Sequence, residues 1–341
     1  MRYRPKLLLG AAVLALLGSA CETSPANNAT DSPTTITVYS GREKDLVEPL
    51  FTQFEAANPS IKLAVRYGDT AELAAQILEE GGNSPADVFF AQDAGALGAV
   101  AADGRLATLD DALLKRVSDG FRSAAGRWVG VSGRARVVVY NTEALTPADL
   151  PATILGFTDA KWKGTIGWAP TNASFQAFVT GLRILKGDEA ARAWLRGIKA
   201  NGAVVYPKNG AIVEAVAKGE VQVGFVNQYY LVQMLKEQPG LKAANHFFKG
   251  GDPGALVNVA GAGILSSSKN VKAAATFIEY LLGADAQTYF ATKTFEYPLA
   301  AGVQAAGALP PLSSLEPPAI DLSKLADLEA TLAMLRDEGI V

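Results

Sequence analysis

Tyr229 and Tyr230 are adjacent tyrosines at the point where a predicted strand gives way to a predicted helix. The apolar run VQVGFVN precedes them and a helical run follows. A phenol has a pKa of about 10, so it becomes an anionic oxygen ligand at neutral pH only where a strongly polarising cation displaces its proton. Neighbouring side chains on a regular element point apart, whereas a strand-to-helix junction can direct both phenols into one cleft. Taken alone, such a pair is more often one core side chain and one surface side chain.

The rest of the chain offers few groups for catalysis or for other metals. Cys21 is the only cysteine and His246 the only histidine. Disulfides, thiolate metal sites and multi-histidine zinc sites are therefore excluded, and the apolar and aromatic neighbours of His246 indicate a packing role. Ser174 lacks the G-x-S-x-G elbow of hydrolases. A hydrolase using Ser174 or a lyase using Glu43 is the enzymatic alternative, and we expect a protein that is not an enzyme.

From Thr34 onward the sequence alternates between strands and helices. Short β-branched runs alternate with amphipathic helices, a pattern that predicts a mostly parallel sheet covered by helices. In such folds ligands bind in the crevice beyond the carboxyl ends of the strands. The same pattern repeats after the strand RVVVYN. We therefore expect two α/β lobes.

Two long apolar segments, around 136–141 and around 257–263, are predicted to cross between the lobes. Two strands that cross a cleft form a hinge. The closing helix, LADLEATLAMLRDEG, is expected to pack back on a lobe. The predicted organisation is a first lobe of residues 34–135 and 260–310 and a second lobe of residues 136–259 and 311–341.

The amino-terminal segment indicates export. Two arginines and a lysine precede an apolar stretch, which is the layout of a secretory signal over residues 1–20. LLGSAC is close to the lipobox at which bacterial lipoproteins are cut and acylated, so we predict lipidation of Cys21, followed by a flexible tether over residues 21–33. The alternative is an ordinary signal cleaved after Ala20 with an incidental cysteine. We expect an exported protein of the cell envelope, lipid-anchored to the outer face of the membrane in the periplasm.

Charge and hydropathy restrict the partners further. The net charge is -3, with acids and bases interspersed, which argues against a nucleic-acid partner. After the signal, no stretch approaches the about 20 uninterrupted apolar residues that a transmembrane helix needs. We therefore expect the mature protein to be soluble.

Several motifs, in order along the chain, add a family resemblance. They include YSGREKD, SPADVFFAQD, SGRARVVVYN, TNASFQ and VNQYY. Over residues 34–300 they resemble the bacterial ferric-ion-binding proteins of ABC transporters. The resemblance implies a type 2 periplasmic-binding-protein fold, in which two α/β lobes joined by two hinge strands close on Fe3+ in the cleft between them. It also implies delivery of the iron to an ABC transporter permease in the cytoplasmic membrane, and we expect a monomer.

The resemblance assigns the metal ligands. The paired tyrosine ligands of the family fall on Tyr229 and Tyr230, and a third tyrosine ligand of some members falls on Tyr140, for which packing on the hinge is the alternative. Glu43 stands where many members have a histidine ligand, and Gln92 where some have a glutamate. Glu43 is a further metal candidate, with a solvated charge near a helix start as the alternative. Fe3+ prefers hard anionic oxygen donors, and three phenolates balance its charge.

The resemblance also implies a synergistic anion, carbonate or phosphate, that fills the remaining coordination positions. Family members hold it with a helix-start loop, where free backbone N–H groups and the helix dipole favour an anion. Arginine guanidinium groups suit a planar oxyanion such as carbonate. The residues assigned to the anion are Arg42, Arg136, Thr171, Asn172, Ala173, Ser174, Asn209 and Asn227, with Arg134 as a further arginine candidate.

The alternative function is a receptor of the same fold for another small solute, such as a phosphonate, a polyamine or an organic acid. A fold alone does not select the cargo. A ferric phenolate complex gives a visible charge-transfer absorption that a chelator or a reductant removes, and an organic ligand does not. This difference separates the two hypotheses.

Overall fold

The computed structural model describes residues 32–305, 307 and 309–341. Cys21, the predicted signal over 1–20 and nearly all of the predicted tether lie outside the described residues. Over the described ranges, no helix combines the length and the apolar character needed to cross a membrane.

Strands and helices alternate through most of the described chain, in agreement with the sequence pattern. The strands are β1 Thr34–Ser40, β2 Ile61–Tyr67, β3 Val88–Ala91, β4 Val129–Asn141, β5 Ile166–Trp168, β6 Val204–Val205, β7 Val223–Asn227, β8 Ala243–His246, β9 Val257–Ile264 and β10 Tyr297–Pro298. The helices are α1 Lys44–Ala57, α2 Thr70–Glu80, α3 Ala94–Ala102, α4 Asp111–Leu114, α5 Ala173–Lys186, α6 Asp188–Ala200, α7 Asn209–Ala217, α8 Gln228–Glu237, α9 Val271–Leu281, α10 Ala284–Tyr289 and α11 Leu328–Asp337.

The long strand β4 links two groups of strands. The strand order is β2-β1-β3-β9-β4-β7-β5-β6, with β8 and β10 paired to β4. The first part of β4, through Ala135, pairs antiparallel with β9, and its second part, from Arg136 to Tyr140, pairs antiparallel with β7. Every residue of β4 is buried. The strand therefore runs from one group of strands into the other, as expected for a segment that crosses between lobes.

Buried side chains form three apolar clusters in the described chain. The first surrounds β1, β3, β9 and the first part of β4, together with helices such as α1 and α9. The other two lie against the second part of β4 and against β7: one contains Val138 and Phe225, and the other contains Val139 and Val226. Successive residues of a strand face opposite sides of the sheet. The second group of strands is therefore covered on both faces, as expected for an α/β layer structure.

The C-terminal segment packs on both groups. Leu315, Leu322 and Leu325 belong to the first cluster, whereas Met334 and Leu335 in α11 belong to the second. Residues 311–341, predicted for the second lobe alone, therefore contribute to two cores. The other predicted lobe limits stay a prediction.

Loops that leave the carboxyl ends of β1, β2 and β3 meet at one edge of the sheet. Asp69 and Asp93 cap α2 and α3 by accepting backbone N–H groups of the first turns. The hydroxyl of Thr70 donates to the carbonyl of Gly41 at 3.2 Å and accepts the N–H of Gln92 at 3.1 Å. Gly41 leaves no room for a side chain, because a Cβ there would lie 1.9 Å from Thr70 Oγ1. A single hydroxyl thus joins three loops at the edge where ligands are expected.

Candidate functional site

The β7–α8 junction places Tyr229 and Tyr230 side by side. β7 ends at Asn227 and α8 begins at Gln228, so both tyrosines lie in the first turn of the helix. Their ring centroids are 4.2 Å apart and the ring planes are inclined by 28°, which is a stacked arrangement. Both rings line the same cavities and keep part of their surface exposed. The positive end of the helix dipole favours an anionic group at this position.

Gln228 holds the junction in place. Its buried side chain accepts the N–H of Ala135 at 2.9 Å and donates to the carbonyl of Phe295 at 3.0 Å. Its own carbonyl accepts Asn245 Nδ2 at 2.9 Å. Strand β4, the segment at 295 and strand β8 therefore all fix the residue that precedes Tyr229.

Burial keeps the phenol of Tyr229 protonated in the absence of a cation. Burial first, and then the neighbouring Tyr230, raise the pKa of Tyr229 well above its ordinary value, while the charge of Arg134 acts in the opposite direction. A phenol with a raised pKa stays neutral across the physiological range. Only a cation that displaces the proton can turn Tyr229 into an anionic ligand.

Two buried arginines of β4 lie beside the tyrosines. Arg134 donates to the backbone carbonyl of Gln92. Arg136 donates to Asn227 Oδ1 at 3.2 Å and to Ser174 Oγ at 3.4 Å. Burial lowers the pKa of Arg136 to about 10, and the nearby tyrosines oppose that shift. Arg136 is therefore still a cation at neutral pH.

The start of α5 contributes to the same site. Asn172 caps the helix, because its Oδ1 accepts the N–H of Ser174 at 3.0 Å and the Ser174 hydroxyl at 2.6 Å. Asn209 is fully buried and donates from Nδ2 to Asn172 Oδ1 at 3.2 Å and to Ser174 Oγ at 3.1 Å. Asn172, Ala173 and Ser174 line a cavity of about 70 Å³ together with both tyrosines, Arg134, Arg136 and Asn227. Most of the residues assigned to the anion thus converge next to the tyrosine pair.

A second cavity, of about 190 Å³, adjoins the tyrosines on the side of the β1–α1 loop. Arg42, Glu43 and Gln92 line it with Tyr229 and Tyr230. Glu43 is exposed, whereas Arg42 is 2 % exposed. The positions at which the sequence departs from the resembled pattern, Glu43 and Gln92, therefore lie on the cavity that the tyrosines line.

Tyr140 and Thr171 do not line either of the two cavities beside the tyrosine pair. Tyr140 pairs with Val223 in β7 and with Ala244 in β8, four residues further along β4 than Arg136. Four strand residues span about 13 Å. Tyr140 is buried among the apolar residues of the second cluster, so it is a core side chain in this structure and the ligand assignment is corrected. Thr171 is exposed and immediately precedes the cap residue Asn172.

Sequence reasoning did not identify one buried acid of the site. Glu296 is 3 % exposed and lines the cavity of the tyrosine pair. Its carboxylate accepts Arg42 Nη2 at 2.7 Å and the hydroxyl of Ser132. Arg42 and Glu296 are separated by 254 positions along the chain, so no local pattern could have paired them.

His246 packs edge-on against Phe248, in agreement with the packing role expected for it.

Comparison with known proteins identifies the family. The sequence model described as bacterial extracellular solute-binding protein matches residues 50–314. This chain belongs to that family. It is 35% identical over 333 residues to the Fe(3+)-binding periplasmic protein of Serratia marcescens, covering 96% of this chain and 97% of the relative. It is also 35% identical over 317 residues to the major ferric iron-binding protein of Neisseria meningitidis serogroup B, covering 92% of this chain and 95% of the relative.

Solved structures agree with the sequence relatives. Iron-bound HitA from Pseudomonas aeruginosa superposes with a TM-score of 0.82 at 35% identity, covering 90% of this chain and 100% of that chain. Trichodesmium IdiA (FutA), solved with iron and citrate ligands, gives a TM-score of 0.80 at 30% identity, covering 90% of this chain and 100% of that chain. The predicted resemblance to ferric-iron-binding proteins and the predicted type 2 periplasmic-binding-protein fold are confirmed. The relatives are solute-binding proteins, and the name of the Serratia relative describes it as periplasmic.

Proposed function

We propose that this protein is the extracytoplasmic substrate-binding component of an iron(III) ABC transporter. The observation that carries the proposal is the stacked pair of Tyr229 and Tyr230 at the start of α8, lining the same cavity as Arg136 and the start of α5. The Serratia and Neisseria relatives are named as ferric-iron-binding proteins and the HitA structure is iron-bound, which supports the same cargo. The protein acts by binding and release, and not as an enzyme.

Tyr229 and Tyr230 are the proposed metal ligands, with Glu43 as a further carboxylate candidate on the same cavity. Two phenolates supply two of the three negative charges that neutralise Fe3+. Because Tyr140 lies in the core, the remaining charge has to come from Glu43 or from an anion that enters with the metal. A buried cluster in which the charges balance avoids the large desolvation cost of an unpaired ion.

The anion, carbonate or phosphate, is proposed to bind at the start of α5. The positive end of the α5 dipole and the backbone N–H of Ala173 favour a negative guest, while the N–H of Ser174 donates to the cap residue Asn172. Arg136 adds a buried positive charge next to Ser174 and Asn227. This arrangement places cationic and N–H donors beside the two phenols, so that the anion bridges the protein and the metal.

A ligand favours the state in which it makes more contacts. Iron that bonds to residues of both groups of strands therefore favours the state in which the two groups are closed around it. We propose that the closed form delivers iron to an ABC transporter permease in the cytoplasmic membrane and that the protein acts as a monomer. Anchoring through an acylated Cys21, on the outer face of the membrane in the periplasm, would keep the protein close to that permease.

A visible absorption titration with ferric citrate tests the proposal. The wild type should develop a ferric phenolate band that saturates at one iron per chain and disappears with a reductant. Tyr229→Phe and Tyr230→Phe should each weaken or abolish the band, while the matched control Tyr140→Phe should behave as the wild type. Equal bands in all four proteins would refute the site. Absence of a band, together with saturable binding of a phosphonate, a polyamine or an organic acid, would favour a different solute.

A further inference from the structure

The ion pair of Arg42 and Glu296 is buried in the wall of the tyrosine cavity. Arg42 Nη2 and Glu296 Oε1 are 2.7 Å apart, and their side chains are 1% and 4% exposed. Glu296 also accepts the hydroxyl of Ser132 on β4. Arg42 and Glu296 line the same cavity as Tyr229 and Tyr230. A fully buried ion pair is weak evidence of stabilisation, because desolvation of the two charges offsets most of their attraction. Its position beside the tyrosines suggests a role in binding instead.

Arg42 is incompletely satisfied. Within the described residues, its Nε and Nη1 atoms are buried and have no hydrogen-bond partner. Buried donors without an acceptor are rare in folded proteins, and each one calls for an explanation. A guanidinium group binds oxyanions through several N–H donors at once. The free donors of Arg42 are therefore suited to an oxyanion that enters the cavity.

Glu296 is held rigidly enough to orient Arg42. Phe295, immediately before it, has a left-handed φ of 57°, and its carbonyl accepts the side chain of Gln228. A non-glycine residue adopts this conformation only where its surroundings enforce it. The segment that carries Glu296 is thus tied to the residue that precedes Tyr229. The same connection fixes the carboxylate relative to the tyrosine pair.

We propose that Glu296 is a positioning residue, which binds Arg42 through Nη2 and presents the remaining guanidinium donors to the oxyanion that accompanies the metal. This inference rests on the proposed function, and it goes beyond the assignment of Arg42 to the anion by giving Glu296 a role in orienting that arginine. Glu296 touches neither iron nor anion in this arrangement and acts through Arg42.

The test uses the full-length protein loaded with iron and transferred to anion-free buffer. Phosphate or bicarbonate is then titrated while the ferric phenolate band is followed. The half-saturating anion concentration should rise about tenfold or more in Arg42→Gln and in Glu296→Gln, which is the effect of losing a hydrogen bond to a charged group. Glu296→Asp should restore part of the affinity. The control Asp188→Asn removes a carboxylate from another buried arginine, Arg183, and should change nothing.

The double variant Arg42→Gln/Glu296→Gln separates a positioning role from a general structural one. If Glu296 acts through Arg42, the double variant should match Arg42→Gln in anion dependence, and this comparison remains decisive even if Glu296→Gln alone does not fold. Additive losses would show that Glu296 acts independently and would overturn the inference. An intact iron band with unchanged anion dependence in Arg42→Gln would overturn it too. A wild type without any iron band would refute the proposed function itself.

Discussion

Thr70→Val should loosen the three loops that form the wall of the site. The hydroxyl of Thr70, which is 7% exposed, bonds both the Gly41 carbonyl and the Gln92 N–H. Valine leaves that N–H without an acceptor, at a cost of about 1–3 kcal/mol, and removes a donor from Gly41, at a cost of about 1 kcal/mol. A methyl group at a hydrogen-bonding distance is also too close to both atoms. The expected destabilisation is therefore about 2–4 kcal/mol.

Urea unfolding measures this loss as a shift of the transition midpoint at constant slope. Thr70→Ser is the matched control, because it keeps the hydroxyl and gives up only one methyl group, which is worth about 1 kcal/mol or less. Because Gln92 lines the cavity of the tyrosine pair, Thr70→Val should also weaken iron binding more than Thr70→Ser does. If the Thr70→Val and Thr70→Ser variants unfold at the same urea concentration, the hydroxyl does not hold the loops together.

Three further predictions concern binding. Each phenol releases a proton when it binds iron, so the logarithm of the apparent iron affinity should fall by about two for each unit of decreasing pH. A competition titration with a chelator at several pH values measures this slope. A slope near zero would rule out two protonated phenol ligands. Because burial raises the pKa of Tyr229 well above its ordinary value, the phenol is protonated throughout the neutral range, and this loss should extend across that whole range. Asn209→Ala removes two hydrogen bonds from the start of α5 and should weaken phosphate or bicarbonate binding about tenfold, with the number of irons bound unchanged. Calorimetric titration of the iron-loaded protein checks this, and unchanged anion affinity would exclude a role for Asn209. Tyr140→Phe should leave the iron band unaltered, and loss of the band would restore Tyr140 as a ligand.

The sequence predicted the parts of the fold that depend on local patterns. Strand–helix alternation and the long apolar segment at 136–141 were sufficient to expect α/β lobes and a crossing strand, and β4 is such a strand. The junction at Tyr229 was also predictable, because a buried strand ends where a helix begins. Hydrophobic period and strand ends are local properties, so they can be inferred from one chain.

Depth within the fold could not be inferred in the same way. Tyr140 and Arg136 lie on the same face of β4, since they are separated by an even number of residues, yet Arg136 borders the cavity and Tyr140 is in the core. The strand pattern gives the face and not the distance from the cleft. The family resemblance assigned Tyr140 as a ligand, whereas β4 places this tyrosine in the core, away from the site.

Contacts between residues that are far apart in the sequence could not be predicted either. Glu296 and Arg42 are brought together only by tertiary structure, so their ion pair cannot be inferred from local sequence patterns. The C-terminal segment shows the same limit, because Leu315, Leu322 and Leu325 pack in the first cluster while Met334 and Leu335 pack in the second. An amphipathic pattern indicates that a segment packs, and it does not indicate the surface on which it packs.

Tyr229 and Tyr230 are proposed to hold the metal as phenolates. A crystal structure of the iron-loaded protein, with anomalous diffraction data collected at the iron absorption edge, tests it most directly. We expect one strong anomalous peak bonded to the Oη atoms of both tyrosines, with anion density between the peak and the first turn of α5. An iron peak bonded to other groups, with both phenols free, would contradict it.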